Sequence, residues 1–145
     1  GLVGSEMCIR DSDEIVKKLE PRYDSHVHVI DHLIHPYEAR ILLGEGKVTI
    51  TGRMHAAVSS INMGTVPICL SYSVKFKGVI GDDFGLNDYI YQCRGDDIWY
   101  SGNVSTEVIA RLNMVLENRK SIVKKINDKL ELVKKKSMLQ IEELF

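Results

Sequence analysis

The sequence predicts an α/β chain built on a parallel sheet, and three observations carry that expectation. Short β-branched runs alternate with segments of helical character along most of the chain. The links between them are short, as in β-α-β units whose helices cover the faces of a parallel sheet. One run, Val66 to Tyr72 ("VPICLSY"), is apolar almost throughout, the mark of a strand buried on both faces.

Each element has a local reason. "HVHVI", His26 to Ile30, is rich in β-branched residues and reads as a strand. "PYEARILLGEG" opens on Pro36, whose fixed φ suits a helix start, and stops at Gly44 as a C-cap. "KVTIT", Lys47 to Thr51, is a short strand, and Met54 to Met63 is a helix closed by Gly64. Lys75 to Phe84 reads as helical, "DYIYQC" (Asp88 to Cys93) as a strand, and "RGDDIWYSGN" as a loop. From Val104 a long helix runs toward the C-terminus, with Glu107 favourably placed in its first turn.

Composition excludes several classes. The first twelve residues, "GLVGSEMCIRDS", resemble the translation of a transposase sequencing adapter and are set aside as a non-native tail, together with Met7 and Cys8. They hold no apolar stretch of the kind a secretory signal needs. Removing one basic and two acidic residues from the 19 and 20 of the whole chain leaves 18 of each, a net charge of zero. Nothing global then steers the chain to nucleic acid. No apolar run approaches transmembrane length. Cys69 and Cys93 form no CxxC pattern, and Cys69 within an apolar strand reads as a small core residue. A reducing cytoplasm is the expected compartment.

In open α/β sheets, ligands sit outside the carboxyl ends of the strands. Gly52-Arg53-Met54-His55 and Ser71-Tyr72-Ser73 both fall at such ends, after consecutive strands, so they can face one crevice. Arg53 offers a permanently charged planar fork that fits carboxylate or phosphate. The N-terminus of the following helix adds N–H groups and partial positive charge. His55 exchanges protons near neutral pH, and Gly52 lets the backbone approach a ligand. Taken alone, Arg-x-His is also compatible with a surface ion pair and a core histidine.

The ordered set in "TITGRMHAAVSSINMGTVPICLSYSVKFKGVIGDDFGL" resembles the C-terminal signature of the polysaccharide pyruvyl transferase family. A strand ends in Gly52-Arg53-x-His55, and a helix of small residues follows. Gly64-x-x-Pro67 then leads into an apolar strand, and Ser71-Tyr72-x-x-Lys75-x-x-Gly78 follows it. The resemblance covers about Ile30 to Tyr91. It implies a glycosyltransferase-B-like architecture of two Rossmann-like domains around a cleft, of which this chain is the C-terminal half. It also implies transfer of a pyruvyl group from phosphoenolpyruvate, the donor substrate, to a sugar hydroxyl as a ketal in cell-surface polysaccharide biosynthesis. No cofactor is implied. The acceptor is a sugar or lipid-linked oligosaccharide. By the same resemblance Arg53 engages the donor carboxylate or phosphate and His55 transfers a proton. Lys75 binds a second anionic group, and Tyr72 and Ser73 line the pocket, with packing an equal role for Tyr72.

This gives three segments: the tail 1–12, a Rossmann-like C-terminal domain fragment 13–103, and a helical segment 104–145. The N-terminal domain and the first strands of the sheet are expected to be missing. Strand 26–30 then lacks its natural neighbour, and the fragment is expected to be inactive alone. A nucleotide-sugar glycosyltransferase of the same shape and a non-catalytic interaction domain are the alternatives. The first would call for a Glu-rich ribose-binding motif near the strand ends, which is not seen.

Three further signals were weighed. His26, His28, His32 and His35 cluster within ten residues, but without nearby cysteines they read as a polar strand end and loop rather than a metal site. "ENRKSIVKKINDKLELVKKK" holds eight basic and three acidic residues. Leu112, Leu116, Val123, Ile126, Leu130 and Val133 form an apolar stripe through and beside it, interrupted by Arg119. Packing on its own protein is the leading expectation, peripheral contact with anionic lipids at the inner face of a membrane the second, and helix pairing the third. The tripeptide Arg94-Gly95-Asp96 is too short to signify adhesion.

Overall fold

The computed structural model describes residues 17–18 and 21–142, so the adapter-like tail 1–12 lies outside the described residues. The chain divides into two compact units, Gly1–His35 and Pro36–Phe145.

In the first unit, Pro21–His26 forms a 3₁₀ helix, and residues 27–30 carry no regular structure. The expected strand His26–Ile30 is therefore not formed. Its β-branched residues fit a pleated surface only when a neighbouring strand and a core face supply one. Here Val29 and Ile30 are exposed and residues 27–30 carry no regular structure.

The second unit holds a three-stranded, wholly parallel sheet in the order β1-β2-β3. Helix α1 (Pro36–Glu45) starts on its proline, with Glu38 in the first turn. Strand β1 (Val48–Thr51) follows, then helix α2 (Met54–Asn62) and strand β2 (Val66–Ser71). Val48 registers with Val66 and Thr51 with Cys69. Gly64 reverses the chain after α2 in the left-handed region, at φ 76°.

The segment expected to be helical at 75–84 is helical, but its main part, Lys77–Asp83, has the wide turns of a π-helix. Gly81 lies against Asn87: a Cβ at 81 would stand 2.2 Å from Asn87 Oδ1. A 3₁₀ turn, Asn87–Tyr89, leads into β3 (Ile90–Gln92), so this strand is shorter than the expected Asp88–Cys93. Cys69 registers with Ile90 and Ser71 with Gln92. Pro67 stands before that ladder begins, where its strand has only β1 to pair with. Part of the expected loop 94–103 is a short helix, α3 (Asp96–Tyr100). Helix α4 (Asn103–Glu142) is 40 residues long, about 60 Å at 1.5 Å per residue.

Packing follows the apolar pattern. Ala57 and Ile61 of α2, Val66, Ile68 and Cys69 of β2, and Phe76 and Ile80 of the π-helical segment are buried in one cluster with Val115, Ile122 and Ile126 of α4. Burying a side chain of this size stabilises by about 1.5–3 kcal/mol. Leu112, Val123, Leu130 and Val133 pack against the cluster, as the stripe predicts. Leu116 instead faces outward, 49% exposed, and Val115 and Ile122 take the core positions. Arg119 does not break the stripe, because its Nε reaches the Lys47 carbonyl at 3.4 Å.

Candidate functional site

The carboxyl ends of β1 and β2 point the same way because the strands are parallel and in register. Each strand end turns into a helical segment, and the two turns form opposite walls of a cleft of about 600 Å³. Arg53, Met54, His55 and Ala56 line one wall, and Tyr72, Ser73, Lys75 and Phe76 the other. Five of the six residues proposed from sequence thus meet at one place. Gly52 sits between β1 and Arg53 but does not line the cleft. A Cβ at 52 would meet the Leu70 carbonyl at an ordinary 3.6 Å, so space does not demand glycine there.

Local hydrogen bonds set the first wall. The Arg53 amide donates to Thr51 Oγ1 at 2.9 Å, bending the chain out of β1. Arg53 then occupies the N-cap position of α2 with extended φ −107° and ψ 121°, and no side-chain cap closes the helix start. Arginine has no acceptor to offer the first-turn N–H groups, and its charge opposes the positive end of the helix dipole. Local preference is therefore broken at a point where two sources of positive potential meet. The helix is held from below: Ser60 Oγ lies 2.8 Å from the Ala56 carbonyl and 2.9 Å from Thr49 Oγ1, within the core.

The second wall is held in the same manner. Ser71 Oγ donates to the Ser73 carbonyl at 2.8 Å, and the Lys75 amide donates to Ser73 Oγ at 3.3 Å. Tyr72 is exposed and meets the buried Phe76 ring edge-on, 6.1 Å between centroids and 70° between planes. Tyr72 therefore both borders the cleft and packs on Phe76. Two neighbours at the end of β3 were missed by the sequence analysis. The Cys93 amide donates to the Ser71 carbonyl at 2.7 Å, and Arg94 Nε donates to the Tyr72 carbonyl at 3.2 Å. The signal that finds Arg94 is its position just past a third parallel strand.

Among the described residues, the cleft is lined by an arginine, a lysine and a histidine and by no acidic side chain. Arg53, His55 and Lys75 are solvent-exposed. The arrangement can hold a small molecule with one or two anionic groups and bring an imidazole to it. No thiol takes part: Cys69 is buried in β2, and burial pushes its thiol up to about 12. Burial also raises the Cys93 thiol, opposed by Arg111. Among the described residues no group of three or more His, Cys, Asp or Glu is close enough to hold an ion. Also among the described residues, no helix is long and apolar enough to cross a membrane.

No curated protein and no solved structure matches the chain. One family model does, over residues 4–74, and it is described as polysaccharide pyruvyl transferase. The match begins inside the adapter-like stretch and ends one residue before Lys75, so it contains Arg53, His55, Tyr72 and Ser73. The segment that builds the first wall of the cleft and opens the second is thus similar in sequence to the polysaccharide pyruvyl transferase family.

Proposed function

We propose that the cleft binds phosphoenolpyruvate and that the pyruvyl group passes from it to a sugar diol as a ketal. The observation that carries this reading is the convergence of Arg53, His55 and Lys75 on one cleft at the N-terminus of α2. Phosphoenolpyruvate has a carboxylate and a phosphate a few ångströms apart, and two cations on facing walls suit such a dianion. Arg53, beside the helix N-terminus, takes one anionic group as a bidentate fork. Lys75 takes the other as a point charge. Tyr72 and Ser73 border the bound donor.

The chemistry needs little more than positioning and proton movement. A first sugar hydroxyl adds to C2 of the donor while the methylene carbon C3 gains a proton and becomes a methyl group. The C2–phosphate bond then breaks, and the second hydroxyl closes the ketal. Of the two hydroxyl protons, one ends on C3 and the other leaves with phosphate. His55 serves one of these transfers, at the methylene carbon or at the departing phosphate, a role worth about 10²–10⁴-fold in rate. The acceptor is a sugar or a lipid-linked oligosaccharide of a surface polysaccharide. If it is lipid-linked, contact with anionic headgroups would run through the exposed lysines of α4, whose apolar stripe is already buried in the core. Two buried cysteines without a disulfide fit a reducing, cytoplasmic compartment.

Calorimetric titration of phosphoenolpyruvate tests the donor site. Wild type is expected to bind, and Arg53→Ala to bind at least about tenfold more weakly, the worth of one charge-assisted hydrogen bond. His55→Ala is expected to bind nearly as wild type and to lose transfer. Absence of wild-type binding, with candidate acceptor sugars present, would remove the donor from this reading.

A further inference from the structure

We infer that Arg94 is a positioning residue for the cleft: it fixes the turn that presents Tyr72, Ser73 and Lys75. The inference rests on the cleft being an anion site, but its geometry stands by itself. The turn 72–75 lies just past the end of β2, where the chain leaves the sheet and loses ladder hydrogen bonds. Two of its restraints are local, from Ser71 Oγ to the Ser73 carbonyl and from the Lys75 amide to Ser73 Oγ. Both lie within the turn and its neighbour, so neither anchors it to another element.

Arg94 supplies that anchor. Its Nε donates to the Tyr72 carbonyl across 22 positions of sequence, from the chain just past β3. One residue earlier, the Cys93 amide donates to the Ser71 carbonyl at 2.7 Å. Successive carbonyls of the departing strand are thus held by successive residues of the neighbouring one. The second bond extends the sheet ladder beyond its last registered pair, Ser71 with Gln92, by means of a side chain. Gly95, in the left-handed region at φ 90°, turns the chain immediately afterward, which lets Arg94 lie back along β2. A side chain at Gly95 would meet open space, so the glycine serves the turn rather than a close contact.

The geometry also explains why arginine is used. Nε sits on the inner side of a rigid planar fork, and its engagement with a carbonyl fixes the plane of the group. A lysine can supply charge at about this place but not that fixed geometry. The wall with Lys75 and Tyr72 is therefore set by the third strand, although the third strand contributes no lining residue to the cleft.

The experiment uses the full chain and three proteins: wild type, Arg94→Ala and Arg94→Lys. Amide hydrogen exchange is followed at residues 72–76 and in the β2 core, alongside thermal unfolding and phosphoenolpyruvate titration. Both variants are expected to exchange roughly tenfold faster at 72–76, with the β2 core and the melting temperature nearly unchanged. Both are expected to bind phosphoenolpyruvate several-fold more weakly. Exchange at 72–76 that stays at the wild-type rate in both variants overturns the inference. So does full restoration of exchange and affinity by Arg94→Lys, which would leave only a charge effect. If wild type does not bind the donor, the exchange result still decides the role of Arg94, while the donor-site reading fails separately.

Discussion

The two ends of β2 are finished in opposite ways. At its N-terminal end the polar groups are buried and closed by main chain: the Thr65 hydroxyl is fully buried and lies 3.3 Å from the Gly44 carbonyl and 3.2 Å from that of Gly46. Gly64 supplies the reversal just before it. At the C-terminal end, and at the neighbouring end of β1, hydroxyls also bend the chain, but there they hold up exposed cations instead of sealing a core. The N-terminal end ties elements together, while the paired C-terminal ends of β1 and β2 use the same hydrogen-bond chemistry to present Arg53 and His55 after β1 and Lys75 after β2 to solvent. The comparison teaches that changes at the first end should register in stability and changes at the second in binding.

The largest expected effect lies between the two ends. Ile68→Ala, or Ile61→Ala in the helix packed on β2, removes a fully buried side chain and should destabilise by about 2–5 kcal/mol in urea unfolding. A loss below about 1 kcal/mol would mean the core does not close as described. Next comes the sealed end. Thr65→Val leaves two carbonyls without their hydroxyl donor and should cost about 1–2 kcal/mol. Gly64→Ala places an ordinary residue at φ 76° and should cost about 1 kcal/mol. Ligand affinity of the folded fraction should not change in either variant, and a change in affinity would dissolve the distinction between the ends.

The open end should behave in reverse. Arg53→Ser supplies the acceptor that α2 lacks at its N-cap, in a backbone conformation that already suits one. Stability should rise by about 0.5–1 kcal/mol while donor binding is lost. A variant that is both less stable and unable to bind would show that Arg53 has a structural role at this end. The smallest effect near neutral pH belongs to Cys69, which lies in the same strand between the two. Its thiol moves from 9.0 in the unfolded chain up to about 12 when folded. The unfolded chain therefore ionises first, and this contribution to stability falls as pH rises from 9 toward 12. In paired unfolding curves, Cys69→Ala should show a shallower decline over that window than wild type. Equal slopes would indicate that the buried thiol does not resist ionisation.

Much of this was legible in the residues because their patterns were strong. Val66–Ser71 is apolar nearly throughout, and it is the buried central strand. Arg53 stands between a strand and a helix, His55 lies in that helix's first turn, and neighbouring parallel strand ends lie side by side, so their meeting with Lys75 was foreseeable. His26–Ile30 carries similar β-branched residues yet forms no strand, because propensity describes a fit to neighbours that this segment lacks. The π-helical turns at Lys77–Asp83 share their apolar spacing with an α-helix, so periodicity could not separate the two. Leu116 and Val115 differ by one position, and on a helix that is 100° of rotation, enough to exchange a core residue for a surface one. Arg94 escaped notice because its bond to Tyr72 joins residues that only the sheet brings together.

The long helix has a consequence for how the protein is made. Val115, Ile122 and Ile126 pack in the same core as Ile68, yet they follow it in the chain by roughly 50 residues. At about 5–20 residues per second of synthesis, the apolar strand leaves the ribosome some 3–10 s before the helix that buries it. During that interval the apolar residues of α2 and β2 lack the helix that covers them in the finished core. Such a surface is what a general chaperone binds. Slowing elongation between residues 72 and 115 would lengthen the exposure and should increase aggregation without altering the finished molecule.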